Sequence, residues 1–102
     1  MGTRIQLHEK LLALFGSNRV YYQPPPTIKM AYPAIVYNFD GIYENPANDK
    51  RYITENRYIV TFIHKDPDVS YSEEMYAAFP MCSFDRRFVS DNLYHDVYTL
   101  YY

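Results

Sequence analysis

Residues 92–102 read NLYHDVYTLYY, and the fold turns on how this stretch is read. As a strand from Leu93 to Tyr102 it places Leu93, His95, Val97, Thr99 and Tyr101 on one face and Tyr94, Asp96, Tyr98, Leu100 and Tyr102 on the other. Both faces are apolar or aromatic, whereas an antiparallel strand with one face in water alternates apolar and polar residues. Something has to cover each side of it.

The second unambiguous strand, RYIVTFIH (residues 57–64), poses the same problem, with Tyr58, Val60 and Phe62 on one face and Ile59, Thr61 and Ile63 on the other. AIVYNF (residues 34–39) is a third, built from β-branched and aromatic residues. Upstream of the last strand, SFDRRFV followed by SDN completes a C-terminal hairpin. Between residues 39 and 57 the sequence DGIYENPANDKRYITEN carries the Gly, Pro, Asn and Asp residues of a long hairpin tip, partly extended at its base. Tips of that length are usually functional or mobile.

Two helices accompany these strands. TRIQLHEKLLALFGS (residues 3–17) has Leu7, Leu11, Leu14 and Phe15 at helical spacing, a capping-box pair in Thr3 and Gln6, and Gly16 at its end. After the turn at Asp66-Pro67-Asp68, a shorter helix begins with Ser70 and Glu73 at capping-box spacing and stops at Pro80. Glu73 and Glu74 suit the positive end of that helix. Because adjacent helical residues point in different directions, they do not form an acid–base pair. Pro24, Pro25 and Pro26 lie in an extended connector; a polyproline ligand is the alternative reading of that short link.

The expected architecture is therefore α+β in a single domain, residues 1–102. An antiparallel (mixed) sheet of about four strands carries the N-terminal helix and the second short helix on one face. A strand of ten residues runs about 33 Å, a 12-residue helix only about 18 Å. Part of the sheet is then expected to need cover from outside the subunit.

Composition narrows the function classes. The 102 residues include 13 Tyr and 6 Phe but no Trp, and tyrosine suits surfaces that are part buried and part wet, such as subunit interfaces. A formal net charge of −2 and scattered basic residues argue against an electrostatic nucleic-acid binder. The single cysteine, Cys82, fits a small buried hydrophobe in a reducing compartment. No apolar run approaches membrane-spanning length, and the N-terminus lacks a secretory pattern. His8, His64 and His95 show no metal-ligand spacing, and His95 and Asp96, as strand neighbours, face opposite ways and so form no triad. The three glycines are too far apart for a phosphate-cradling loop. Neither catalysis nor any cofactor or metal is expected.

The segments VYYQPP, MAYPAIVY, RYIVTFIHKDPD and MCSFDRRFVSDNLYHDVYTLYY resemble, in order and over nearly the whole chain, the small tail-terminator (tail-completion, head–tail joining) proteins of long-tailed bacteriophages. The resemblance implies a virion protein, assembled in the host cytoplasm, that forms a homo-oligomeric ring, usually a hexamer, at the head-proximal end of the tail tube. Its implied partners are the tail tube protein and the head-completion or connector protein, with DNA passing through the channel without specific binding. A ring has a heterologous interface, for which long aromatic strands are suitable donors. As a set, Tyr94, Tyr98, Tyr101 and Tyr102 are expected near a subunit boundary, the alternative for each being that it fills the subunit's own core, and Arg86 and Arg87 in an intersubunit salt bridge or on a phosphate. Tyr43, Glu44, Asn45, Asp49, Lys50 and Arg51 are expected in a tip that reaches a neighbour or the tube. Other readings are a different neck or tail component, such as a tube subunit or head-completion protein, or a small enzyme or nucleic-acid-binding module.

Overall fold

The computed structural model describes residues 4–16, 19–24, 32–46, 52–68 and 70–102. In chain order these form α1 (Arg4–Phe15), β1 (Val20–Tyr22), β2 (Ala34–Pro46), β3 (Tyr52–His64), α2 (Ser72–Ala78), β4 (Cys82–Ser90) and β5 (Leu93–Tyr101). The fold is α+β, with one mixed five-stranded sheet in the order β1-β2-β3-β5-β4. The extra strand is β1, three residues paired in parallel with β2 at Val20 opposite Ile35. It is too short to show an alternation in the sequence. All other pairs are antiparallel.

The strand order explains the last strand's two apolar faces. β5 lies between β3 and β4 rather than at an edge, so both of its backbone ladders are used and most of its side chains are buried or half-buried. The turn before it, with Asp91 and Asn92 both at positive φ (53° and 63°), has the left-handed pair that a tight hairpin requires.

One face of the sheet carries both helices. Leu7 and Leu11 of α1 and Met75 of α2, with Phe79 just beyond it, close over Ile35, Tyr37, Tyr58, Val60, Phe62, Tyr98 and Leu100. Each fully buried apolar side chain of this kind stabilises the fold by about 1.5–3 kcal/mol. Leu14 and Phe15 pack at the margin, and Phe15 meets Phe62 and Tyr71 edge-on. Gly16, at φ 71°, ends α1 and donates its N–H to the Leu12 carbonyl. The Thr3 half of the expected capping box lies outside the described residues.

α2 starts later than its sequence suggests. Ser70 precedes the cap; its hydroxyl accepts from the Ser72 N–H at 3.3 Å, and Tyr71 occupies the cap position without a side-chain hydrogen bond. Glu73 and Glu74 sit in the first turn as expected. The expected tip is also shorter than read, because β2 and β3 continue as a paired ladder to Pro46 opposite Tyr52. The C-terminal strand, with Tyr102 exchanging backbone hydrogen bonds with Asn56, pairs β3 only from Asn56 onward, so residues 43–46 and 52–55 form a two-stranded arm that continues past the sheet body. A strand of 13 residues runs about 43 Å, and the molecule measures 50 × 27 × 23 Å, an elongated shape.

Candidate assembly surface

Alternation places Ala34, Val36 and Asn38 of β2, Arg57, Ile59, Thr61 and Ile63 of β3, and Leu93, His95, Val97, Thr99 and Tyr101 of β5 on the face opposite the helices. Among the described residues no helix lies there. Ala34, Ile63, Leu93 and Val97 are nevertheless shielded, the first three clustered at one end of the sheet. Val36, Ile59, Thr61, Thr99 and Tyr101 are only half-buried. The opening problem therefore has a split answer: the chain covers one face with its helices and leaves much of the other face partly open.

The edge next to this face is more exposed still. β4 is a nine-residue edge strand in which every position from Ser83 to Ser90 is exposed. It presents Phe84 (44%), Phe88 (39%) and Val89 (61%) to solvent. A long edge with unpaired backbone groups and apolar side chains is a template for pairing with another chain unless it is blunted. The blunting here is partial: a register shift around Asp85 and the exposed Arg86–Asp85 pair at 3.1 Å. At the opposite edge β1 offers only three residues. The two edges are thus unlike one another.

The arm leaves the sheet at a second irregularity. The β2–β3 register shifts between Phe39 and Gly41, and Gly41 takes φ 155°. A side chain there would meet the Arg57 guanidinium at 3.0 Å. Arg57 donates to the Asp40 carboxylate at 2.6 Å and also bonds Tyr101, and both contacts hold its guanidinium pKa above the ordinary value. Phe39 and Ile42, flanking this bulge, are exposed.

The expected interface residues separate into different environments. Tyr98 is a correction: it is fully buried in the chain's own core, its hydroxyl sharing a 2.7 Å hydrogen bond with Ser72, and burial raises its pKa. Tyr94 and Tyr102 are half-buried on the helix side, Tyr94 stacked on His64, and Tyr102 against Phe79 and under the Lys10 ammonium. Tyr101 alone of the four lies on the helix-free face. Arg86 is exposed, over the Phe88 ring.

Arg87 is the second correction. Instead of reaching a neighbour it closes on both oxygens of Asp96, directly opposite it on β5, and donates to the Pro67 carbonyl at 2.8 Å. Of the expected tip residues, Tyr43, Glu44 and Asn45 belong to the β2 ladder, opposite Glu55, Thr54 and Ile53. Asp49, Lys50 and Arg51 lie outside the described residues.

Sequence reasoning missed one polar cluster. His95 and Asp96 do face opposite ways, His95 stacking on Phe88 across the helix-free face. Asp96, however, meets His64 diagonally across β3 and β5, with His64 Nε2 2.8 Å from its carboxylate. Both side chains are at most 4% exposed. Burial alone raises the Asp96 pKa, but hydrogen bonds from Arg87 and His64 outweigh it and hold the carboxyl below its ordinary value. Only the strand register brings these three residues together, and spacing in the sequence carries no trace of it.

Other chemistry is sparse. Cys82 is half-buried, and burial pushes its thiol up to about 11, away from nucleophilic use. Among the described residues no group of three or more His, Cys, Asp or Glu side chains could hold a metal ion. No described helix is long and apolar enough to cross a membrane. Comparison with known proteins found no matching family profile and no significantly similar curated protein.

Proposed function

We propose that this chain is a structural virion protein of a long-tailed bacteriophage, a tail terminator whose copies close into a ring at the head-proximal end of the tail tube. The observation that carries this reading is the exposed apolar β4 edge bordering a sheet face on which no described helix lies. The occupant of that surface is another copy of the chain. A ring needs a heterologous contact, in which β4 meets a different patch of the neighbouring copy and the rotation between copies closes. The arm beyond Asn56 extends toward a neighbouring copy or the tube.

The sequence resemblance supplies the place of that ring, where it ends tube polymerisation and joins tail to head. The mildly acidic net charge of −2 suits a channel through which DNA slides without being held. A phage lacking the protein is expected to give tails of uncontrolled length beside unjoined, DNA-filled heads. Normal tails joined to heads in its absence would refute the assignment. A tail tube subunit is the neighbouring alternative, and purified protein growing into long open tubes would favour it.

A further inference from the structure

Two backbone edges of the sheet are left open over a comparable length. One is β4, exposed from Ser83 to Ser90. The other is the outer edge of β2. β1 covers that edge only at Ile35, Val36 and Tyr37, and Gln23 extends the cover by one step, its side-chain oxygen accepting from the Phe39 N–H at 3.2 Å. Beyond Phe39, from Asp40 to Pro46, no described segment pairs with this side of β2. From Tyr43 on, the open stretch belongs to the two-stranded arm, and a two-stranded ribbon alone in water is marginal.

Exposed apolar side chains gather on the same two edges: Phe39 (44%) and Ile42 (57%) flank the start of the open β2 stretch, and Phe84, Phe88 and Val89 stand along β4. The backbone groups match as well. On β2 the Ile35 N–H reaches outward to the Arg19 carbonyl and the Phe39 N–H to Gln23, so outward groups belong to the residues on the helix side. Past the register shift that series continues with Ile42, opposite Asn56 as Phe39 is opposite Tyr58. Next to β4 the Met81 carbonyl accepts from Tyr101 within the chain, so Cys82, Phe84 and, past the shift at Asp85, Arg87 and Val89 face out. β4 runs opposite to β2 in the sheet. A neighbour related by rotation about the strand direction therefore offers β2 antiparallel to β4, with the helices of both copies on one side. Charge agrees: residues 40–46, DGIYENP, include Asp40 and Glu44 and no basic residue, while β4 has Arg86 and Arg87 against Asp85 alone. β1, at three residues, is too short to match β4.

We infer that the outer edge of β4 in one copy adds, antiparallel, to the outer edge of β2 between Asp40 and Pro46 in the next copy. Strand addition of this kind draws its affinity from main-chain hydrogen bonds and its selectivity from the side chains beside them. It brings the exposed Phe84 and Val89 of one copy beside Phe39 and Ile42 of the other and lays the basic β4 along the acidic β2 stretch. The two edges differ, so the contact is heterologous and leaves one edge free at each end until a ring closes. The inference rests on the reading that copies assemble through β4, not on the ring's place in a virion.

Two measurements test it. In the first, the wild-type full chain is followed by amide hydrogen exchange above and below the concentration at which it assembles. Assembly should slow exchange at least about tenfold at Ile42 and Glu44 and, together with them, at Phe84, Arg87 and Val89, while Val20–Tyr22 stays unchanged. In the second, Ile42→Cys and Val89→Cys chains, each also carrying Cys82→Ser, are treated with a short bis-maleimide. Cross-linked dimers should form when the two variants are mixed and not with either alone. Rings in which β4 is protected but residues 40–46 are not, or in which β1 is slowed in their place, overturn this pairing and leave the functional proposal standing. Rings whose mixed variants give no cross-link do the same. Val89→Cys chains that cross-link alone show β4 meeting β4, which overturns the pairing and the heterologous contact alike. A chain that never self-associates overturns both proposals.

Discussion

Arg87 of β4 grips both carboxylate oxygens of the buried Asp96 on β5, with the third arm of its guanidinium on the Pro67 carbonyl. One side chain thereby ties the edge strand to the interior strand and to the loop leading into α2. Asp96→Ala would remove that tie and leave the buried His64 Nε2 without its acceptor. Arg87 is a third exposed, which discounts its share for solvent screening. The expected loss is about 2–3 kcal/mol, read as a lower urea midpoint with an unchanged slope.

The same carboxylate sets a pH dependence. Because the folded-state pKa of Asp96 lies below its unfolded value, its contribution is fully present above about pH 4, the unfolded carboxylate value, and disappears as pH falls through the folded value. The share of the stability gap between wild type and Asp96→Asn that comes from this carboxylate should therefore narrow as pH falls from 5 to 3. Thermal melts across that range check it. A gap that stayed unchanged down to pH 3 would mean Asp96 is not held ionised by Arg87 and His64.

Tyr98 separates core from surface. Tyr98→Phe keeps the buried ring and removes only the hydroxyl that meets Ser72. Stability should fall by about 1 kcal/mol, with self-association unchanged, as paired urea unfolding and sedimentation would show. Weakened assembly at unchanged stability would return Tyr98 to a subunit boundary.

Ile59 and Val89 make the complementary test. Ile59 is half-buried on the helix-free face, and Val89 is 61% exposed on the edge strand. Neither Ile59→Arg nor Val89→Lys should cost the isolated chain more than about 1 kcal/mol. Each should weaken self-association at least about tenfold, a loss of about 1.4 kcal/mol per contact. Sedimentation equilibrium measures it directly.

The elements themselves were largely legible in the sequence because the signals were local. The Leu7–Leu11–Leu14–Phe15 stripe, the β-branched runs at 34–39 and 57–64, and the Asp91-Asn92 turn each declare themselves within a dozen residues. What could not be read was neighbourhood. Nothing in NLYHDVYTLYY says that β5 is interior, and this alone moves Tyr98 from an expected interface into the core. Likewise Arg87 and His64 reach Asp96 through register, across separations of 9 and 32 residues. Asn, Gly and Pro residues at 41–46 suggested a loop, yet pairing with β3 keeps them extended. The helix-free face was inferable, since the apolar alternation on both sides of β3 and β5 exceeded what two short helices can cover.

Electron microscopy of the purified protein tests the central claim most directly. The account predicts closed rings of uniform size, with the β4 edge and the half-open face of Val36, Ile59 and Thr99 buried between neighbouring copies. Isolated monomers at every concentration examined, with that edge and face still open to solvent, would contradict it.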